Sequence, residues 1–388
     1  MVPYQQRREA ARSHMGDFRL GSVFGFEIRI DFSWFIIFFL ILWTFTVAVF
    51  PANFPGLSRG AYLGMGVVGA LLFFSSLLAH ELSHSLVARR KGIPVEGITL
   101  FIFGGMARTR MEAEQPGDEF YIAVVGPVSS ILIGLLFGLI WWLGTRLGWS
   151  TAITGVALYL GFLNIALAVF NLLPGFPLDG GRLFRSLVWK ITGDVTRATR
   201  IASTGGKWLG YVLVALGVLQ VFGGALVGGL WMVFIGWFLR NAAIVSYEQH
   251  LVRLALEGVP AWQIMSRDPE TVQPDLTLQA LVDDYFLRRR YQAFPVSTDG
   301  TPLGIITMHQ VKDVPREEWP QRTVAETMTP ADETVTVRPE ESMVRVLERM
   351  EQSGTRRVLV TRNGQLVGII TAADISDWLR RAREFERI

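Results

Sequence analysis

Over its first 245 residues the chain alternates long apolar runs with short polar or glycine-rich breaks, and after that the apolar runs stop. The first run, 32–50, follows a basic stretch containing Arg7, Arg8, Arg12, Arg19 and Arg29. That stretch is long and no small-residue cleavage site follows the run, so the pattern predicts an uncleaved membrane span rather than a signal peptide. A second span runs from about Ala61 to Ala88 and is closed at the next interface by Arg89, Arg90 and Lys91. Between Pro94 and Glu112, β-branched and aromatic residues broken by Gly104-Gly105 predict a short extended segment or hairpin, packed as a re-entrant connection against the spans. Tyr121 to Leu143 forms a third span with Trp141-Trp142 as an interfacial belt, and Thr151 to Leu173 a fourth, interrupted by Asn164. Arg182 to Ser203 mixes cations with apolar residues and predicts an amphipathic helix on the membrane surface. Trp208 to Leu219 and Val227 to Leu239, separated by Gly223-Gly224, predict either a tight pair of closing spans or a shorter re-entrant pair.

From about Ser246 the pattern becomes that of a charged soluble domain with an internal repeat. Met265 to Val311 matches Met328 to Ile375 in order and spacing, each copy reading strand, helix, strand, turn, strand, helix. Asp299-Gly300 and Asn363-Gly364 are the hairpin turns, and two such copies predict a pseudo-twofold pair. The expected division is a basic N-terminal arm (1–31), a membrane domain (32–245), a linker (246–260), a first repeat domain (261–318), and a second with a C-terminal helix (319–388).

Composition agrees with the pattern. Of 388 residues 50% are hydrophobic and 18% charged, which describes a polytopic α-helical membrane protein of about six spans with an α/β soluble tail. The net charge of +3 is small and its cations are spread over loops, so no nucleic acid is expected as a partner. With six spans counted, the N-terminal arm, Arg89 to Lys91, Arg108 with Arg110, and the Arg182 to Lys207 region fall on one side, against Arg59 and Arg146 on the other. The excess of cations puts the N-terminus, the active-site end and the tail in the cytosol of a cell-membrane protein. There is no cysteine, so disulfides and thiolate ligands are excluded and any metal must be held by His and carboxylate.

The candidate chemistry lies at the end of the second span. His80, Glu81 and His84 form HExxH; on a helix, residues i and i+4 share a face, so two imidazoles can meet one Zn²⁺ while Glu81 reaches its water. Three ionisable groups within five residues of an apolar span are costly unless metal-bound, paired or wet, so they imply a site. Downstream, Asn171-Leu-Leu-Pro174-Gly-Phe-Pro177-Leu-Asp179-Gly180-Gly181 breaks a helix at membrane depth, where irregular backbone is tolerated only if buried or lining a cavity. Asp179 is the natural third zinc ligand; the alternative is a loop aspartate capping a helix that starts near Arg182.

At these residues the chain resembles the site-2 protease family of intramembrane zinc metalloproteases. His80-Glu81-Leu-Ser-His84, Gly104-Gly105, Gly126-Pro127 and Asn171 through Asp179-Gly180-Gly181 stand in that family's order, and the tail resembles a pair of cystathionine-β-synthase (CBS) domains. The resemblance implies zinc held by His80, His84 and Asp179, Glu81 as general base, and Asn171 orienting the reacting carbonyl. It implies that Gly104, Gly105 and Met106 belong to a membrane-embedded strand that pairs with an unwound substrate. It implies, as partners, the lipid bilayer and transmembrane substrates such as anti-sigma factors or membrane-tethered regulators, with regulation by a CBS tail that binds adenine nucleotide or forms a homodimer. In the tail, Thr371 and Asp374 are the expected nucleotide contacts; the first copy keeps Thr307 but has Gln310 where the family has Asp. The rival reading is a CBS-gated transporter or channel, which would string ionisable groups across several spans.

Overall fold

The computed structural model describes residues 17–102, 104–109, 113–331 and 336–384. The chain divides into two units, Met1–Tyr247 and Glu248–Ile388. Among the described residues, six helices are long and apolar enough to cross a membrane: α1 (Phe32–Asn53), α2 (Arg59–Arg90), α3 (Pro116–Arg146), α4 (Thr151–Asn171), α6 (Val195–Phe222) and α7 (Leu226–Leu256). Phe39, Trp43, Leu132, Leu135 and Phe162 point outward from them, the surface that a bilayer solvates. The shorter helix α5 (Asp179–Thr192) precedes α6.

Two expectations are corrected here. Residues 1–16 of the expected basic arm, and Arg110, lie outside the described residues, but 17–31 form two strands, β1 (Asp17–Val23) and β2 (Phe26–Asp31). Phe26, Ile28 and Ile30 are buried while Glu27 and Arg29 alternate with them, a period of two that makes a half-buried strand. The single amphipathic helix expected over 182–203 is broken: α5 stops at Gly193, which takes φ +71, and the Asp194 carboxylate then caps α6 by accepting from Arg197 N at 2.9 Å.

The sheet that β1 and β2 begin continues with β3 (Val95–Phe101) and β4 (Gly104–Thr109) in the order β1-β2-β3-β4. β3 and β4 are an antiparallel hairpin with Thr99 opposite Met106 and Leu100 opposite Gly105, and β3 runs parallel to β2. Phe26, Ile28, Ile98 and Leu100 pack on Leu82 of α2, so the sheet lies directly against the HExxH turn. Glycines set the other close approaches. Gly210 meets the carbonyl of Gly236, and Gly217 that of Gly229, each at 2.6 Å from where a Cβ would stand; α6 and α7 therefore pack backbone to backbone, as small-residue membrane helices do.

The second unit carries the repeat. β6 (Ala293–Thr298) and β7 (Thr301–Thr307) form one hairpin; β10 (Arg357–Arg362) and β11 (Gln365–Thr371) form the other. Asp299 and Asn363 take positive φ ahead of Gly300 and Gly364, the left-handed pair that a two-residue hairpin turn demands. The strand that leads each copy joins the other copy's sheet: β5 (Ser266–Arg267) pairs with β11, and β8 (Thr329–Pro330) pairs with β7. β9 (Thr336–Val337) closes the second sheet alongside β10. Ile305, Leu359 and Ile369 share a buried cluster between the two hairpins.

Candidate active site

On α2, His80 and His84 lie one turn apart and both are buried, with Nε2 atoms 3.2 Å from each other. Asp179, in the first turn of α5, places Oδ2 at 3.1 Å from His80 Nε2 and 3.3 Å from His84 Nε2. Ligands about 2.0–2.2 Å from a tetrahedral zinc stand roughly 3.3 Å from one another, so this triangle has the size of a zinc site's face. The remaining ring nitrogens are already engaged. His84 Nδ1 donates to the Ile122 carbonyl at 2.6 Å, which leaves its Nε2 lone pair facing Asp179, and His80 Nδ1 shares a hydrogen bond of 2.9 Å with Ser130 Oγ, a hydroxyl able to accept when His80 Nε2 serves as a ligand. Two imidazole lone pairs and a carboxylate gathered this closely fit a cation.

Asp179 is not a cap. The capping position of α5 is Leu178, with no side-chain hydrogen bond, and the carboxylate turns toward the imidazoles instead. The loop that aims it is fixed from two sides. Phe176 N donates to the Ala202 carbonyl of α6 at 3.2 Å, and a Cβ at Gly180 or Gly181 would collide with the backbone of Leu172 and Gly175. The Gly-Gly pair therefore lets the first turn of α5 press onto the loop.

His80, Glu81, His84, Asp179, Asn171, Gly104, Gly105 and Met106 line one cavity of about 620 Å³. Trp231, Ile235 and Phe238 of α7 close part of its wall, and Arg182 and Arg185 of α5 contribute its cations. β4 is an outer strand of its sheet, and a Cβ at Gly105 would run into Glu81 Cγ, so the hairpin's glycine is what allows strand and carboxylate to touch. Gly126 does the same on the other side. A Cβ there would collide with His84 Nε2 and stand 2.7 Å from His80 Nε2, which gives the Gly-Pro step of α3 a local reason. Ser130, one turn further along α3, was not read from the sequence as a site residue; its only signal is that it shares a helix face with Gly126.

In the second unit Thr371 and Asp374 meet: Asp374 Oδ2 accepts from Thr371 N at 2.8 Å and from its hydroxyl at 2.6 Å, while Oδ1 accepts from Ser266 Oγ at 2.8 Å. They line a cleft of about 670 Å³ with Arg290, Arg356 and Arg357. Burial, and then the neighbouring Arg356, push the Arg357 guanidinium below its usual range. Thr307 faces a separate, smaller cleft of about 460 Å³, where Gln310 closes a capping box with it and also donates to Thr329 Oγ1 at 2.8 Å. Of the cation run 288–290, Arg288 pairs with Asp284 and Arg289 with Glu270, leaving Arg290 on the cleft wall.

Comparison with known proteins agrees with both halves. Residues 68–146 and 145–213 match the model of peptidase family M50, and 261–317 and 324–381 each match the CBS domain. Rip3 of Mycobacterium tuberculosis is 35% identical over 92% of this chain and 91% of its own, and sll0528 of Synechocystis is 35% identical over 92% and 94%; both carry zinc metalloprotease in their names. The solved site-2 protease of Methanocaldococcus jannaschii is 23% identical and covers 60% of this chain and 95% of its own, with a TM-score of 0.42. With relatives this similar along nearly their whole length, the chain belongs to peptidase family M50: it is a multi-pass membrane zinc metalloprotease with a C-terminal pair of CBS domains.

Proposed function

We propose that this metalloprotease hydrolyses peptide bonds within or near transmembrane segments of membrane-anchored regulatory proteins. The observation that carries the reading is the outer strand β4 lying against Glu81, in the same cavity as His80, His84 and Asp179. A peptide bond inside a helix has its N–H and C=O engaged and shielded, so it must be drawn out before it can be cut. An unwound segment added beside β4 gains main-chain hydrogen bonds in exchange and passes the base in extended form.

His80, His84 and Asp179 would hold a zinc ion, which when bound would supply Lewis acidity toward a water and the scissile carbonyl. Ser130 and the Ile122 carbonyl hold the imidazoles in the tautomer that presents Nε2. Glu81 accepts the proton of the attacking water and returns it to the leaving amine nitrogen. Asn171, at the end of α4 and on the cavity wall, orients the carbonyl through its amide.

The cation excess around Arg89 to Lys91 supports a cytosolic active-site end and tail in the cell membrane. The Thr371–Asp374 cleft, with Arg267, Arg290, Arg356 and Arg357 around it, supports an adenine nucleotide as the tail's ligand, and the pseudo-twofold repeat supports pairing of two tails in a homodimer. The decisive test is cleavage of a transmembrane substrate in liposomes by wild type and Glu81→Gln, with zinc measured on both. Equal zinc with cleavage lost only in the variant is the expected result; a variant that cuts at the wild-type rate removes Glu81 from the mechanism.

A further inference from the structure

The described part of the membrane unit holds a second buried charge cluster beside the metal-ligand set, and the chemistry above makes no use of it. Glu119 of α3 is fully buried and Arg185 of α5 is 8% exposed. Arg185 Nε donates to Glu119 Oε1 at 2.7 Å, its terminal nitrogen contacts the same oxygen, and Arg182 Nε lies 4.0 Å away. The same guanidinium stacks over the Phe176 ring at 5.2 Å, in the loop that leads to Asp179.

We propose that Glu119 and Arg185 are positioning residues of the catalytic centre, a buried ion pair that clamps α3 to α5 and so sets where His84 and Asp179 meet. The connection on each side is short. One turn after Glu119, the Ile122 carbonyl accepts from His84 Nδ1, and one turn further Gly126 packs on both imidazoles. Arg185 sits on the helix whose first turn carries Asp179, and it also pins the preceding loop through Phe176. A slip of α3 against α5 would therefore change the 3.3 Å separation between His84 Nε2 and Asp179 Oδ2. Stability alone does not explain the pair, because a buried ion pair replaced by packed apolar side chains is commonly neutral or stabilising. What the guanidinium adds is direction: two of its nitrogens converge on the single oxygen Oε1, which fixes the carboxylate where apolar contacts would allow sliding.

The inference rests on His80, His84 and Asp179 being the metal site, and the experiment separates the two. Full-length protein in detergent is loaded with Co²⁺ as wild type, Glu119→Gln, Arg185→Lys and the double variant E119L/R185M, which removes both charges together and leaves neither uncompensated. Thermal melting, the visible cobalt absorption, the rate of metal release to a chelator, and kcat and KM are read on each. The expected result is a folded double variant with an altered cobalt spectrum, metal release about tenfold faster, and kcat down about tenfold at unchanged KM. Arg185→Lys should recover part of each effect. A folded double variant with wild-type spectrum, release rate and kcat overturns the proposal; should that variant not fold, wild-type values in both Glu119→Gln and Arg185→Lys overturn it equally. A wild type that takes up no cobalt instead overturns the metal-site reading beneath it.

Discussion

Gly126 has no side chain, and for that reason the two imidazoles of α2 can turn toward Asp179. Any Cβ at this position would occupy the space of His84 Nε2 and crowd His80 Nε2, and α3 cannot withdraw without carrying off the Ile122 carbonyl that holds His84. Gly126→Ala should therefore lose zinc while the protein still assembles in the membrane, as metal analysis of the purified variant would reveal; full zinc occupancy would mean that the helix yields. Ser130→Ala is expected to be milder. It removes the acceptor for His80 Nδ1 and leaves the ring free to rotate, which should weaken metal affinity by roughly 10–100-fold in a chelator competition. Gly126 stood out only as part of the Gly126-Pro127 step that carries the family resemblance, with no contact attached to it, and Ser130 not at all, because glycine and serine are common in membrane helices and what they touch lies some 40 to 50 positions away. His80, Glu81 and His84 stood out because their relation is local: one helical turn puts them on one face.

At the scale of elements, the prediction concerns β4. If the substrate adds to its open edge, unwinding is part of the work, so a span with Gly or Pro near the active-site end should be cut faster than a polyleucine span of equal length. Side-by-side cleavage in liposomes tests this, and equal rates would remove strand addition as the limiting requirement. The first four spans were legible because long apolar runs are hard to mistake, and the β3–β4 hairpin because Gly104-Gly105 interrupts β-formers; the closing pair stayed open between spans and a re-entrant pair because cations at 197, 200 and 207 hide the first half of α6. The strands β1 and β2 were missed although Phe26-Glu-Ile-Arg-Ile alternates cleanly, because arginines at 19 and 29 made the stretch look like a tail. The break at Gly193-Asp194 had a readable signal, a left-handed glycine followed by a capping aspartate, but cations on both sides suggested that one amphipathic face continued through it.

At the scale of the molecule, the two units keep separate centres: the Thr371–Asp374 cleft and the metal-ligand cavity share no residue. Stripping the metal with a chelator should abolish cleavage and leave affinity for the proposed nucleotide unchanged in a fluorescence titration, while Asp374→Ala should weaken that affinity and leave zinc content intact. A nucleotide affinity that falls with the metal would mean that the centres are thermodynamically linked. The exchange of leading strands between the CBS copies bears on how this tail can be inherited. The first sheet is incomplete until residue 330 has been made, and the second depends on a strand laid down at 266. Cutting the gene between the copies would strip one sheet of its end strand and leave β7 or β11 with an open edge inviting foreign pairing, so neither copy can be deleted, borrowed or swapped by itself. The pair is one structural block, in which neither sheet is complete without the other copy.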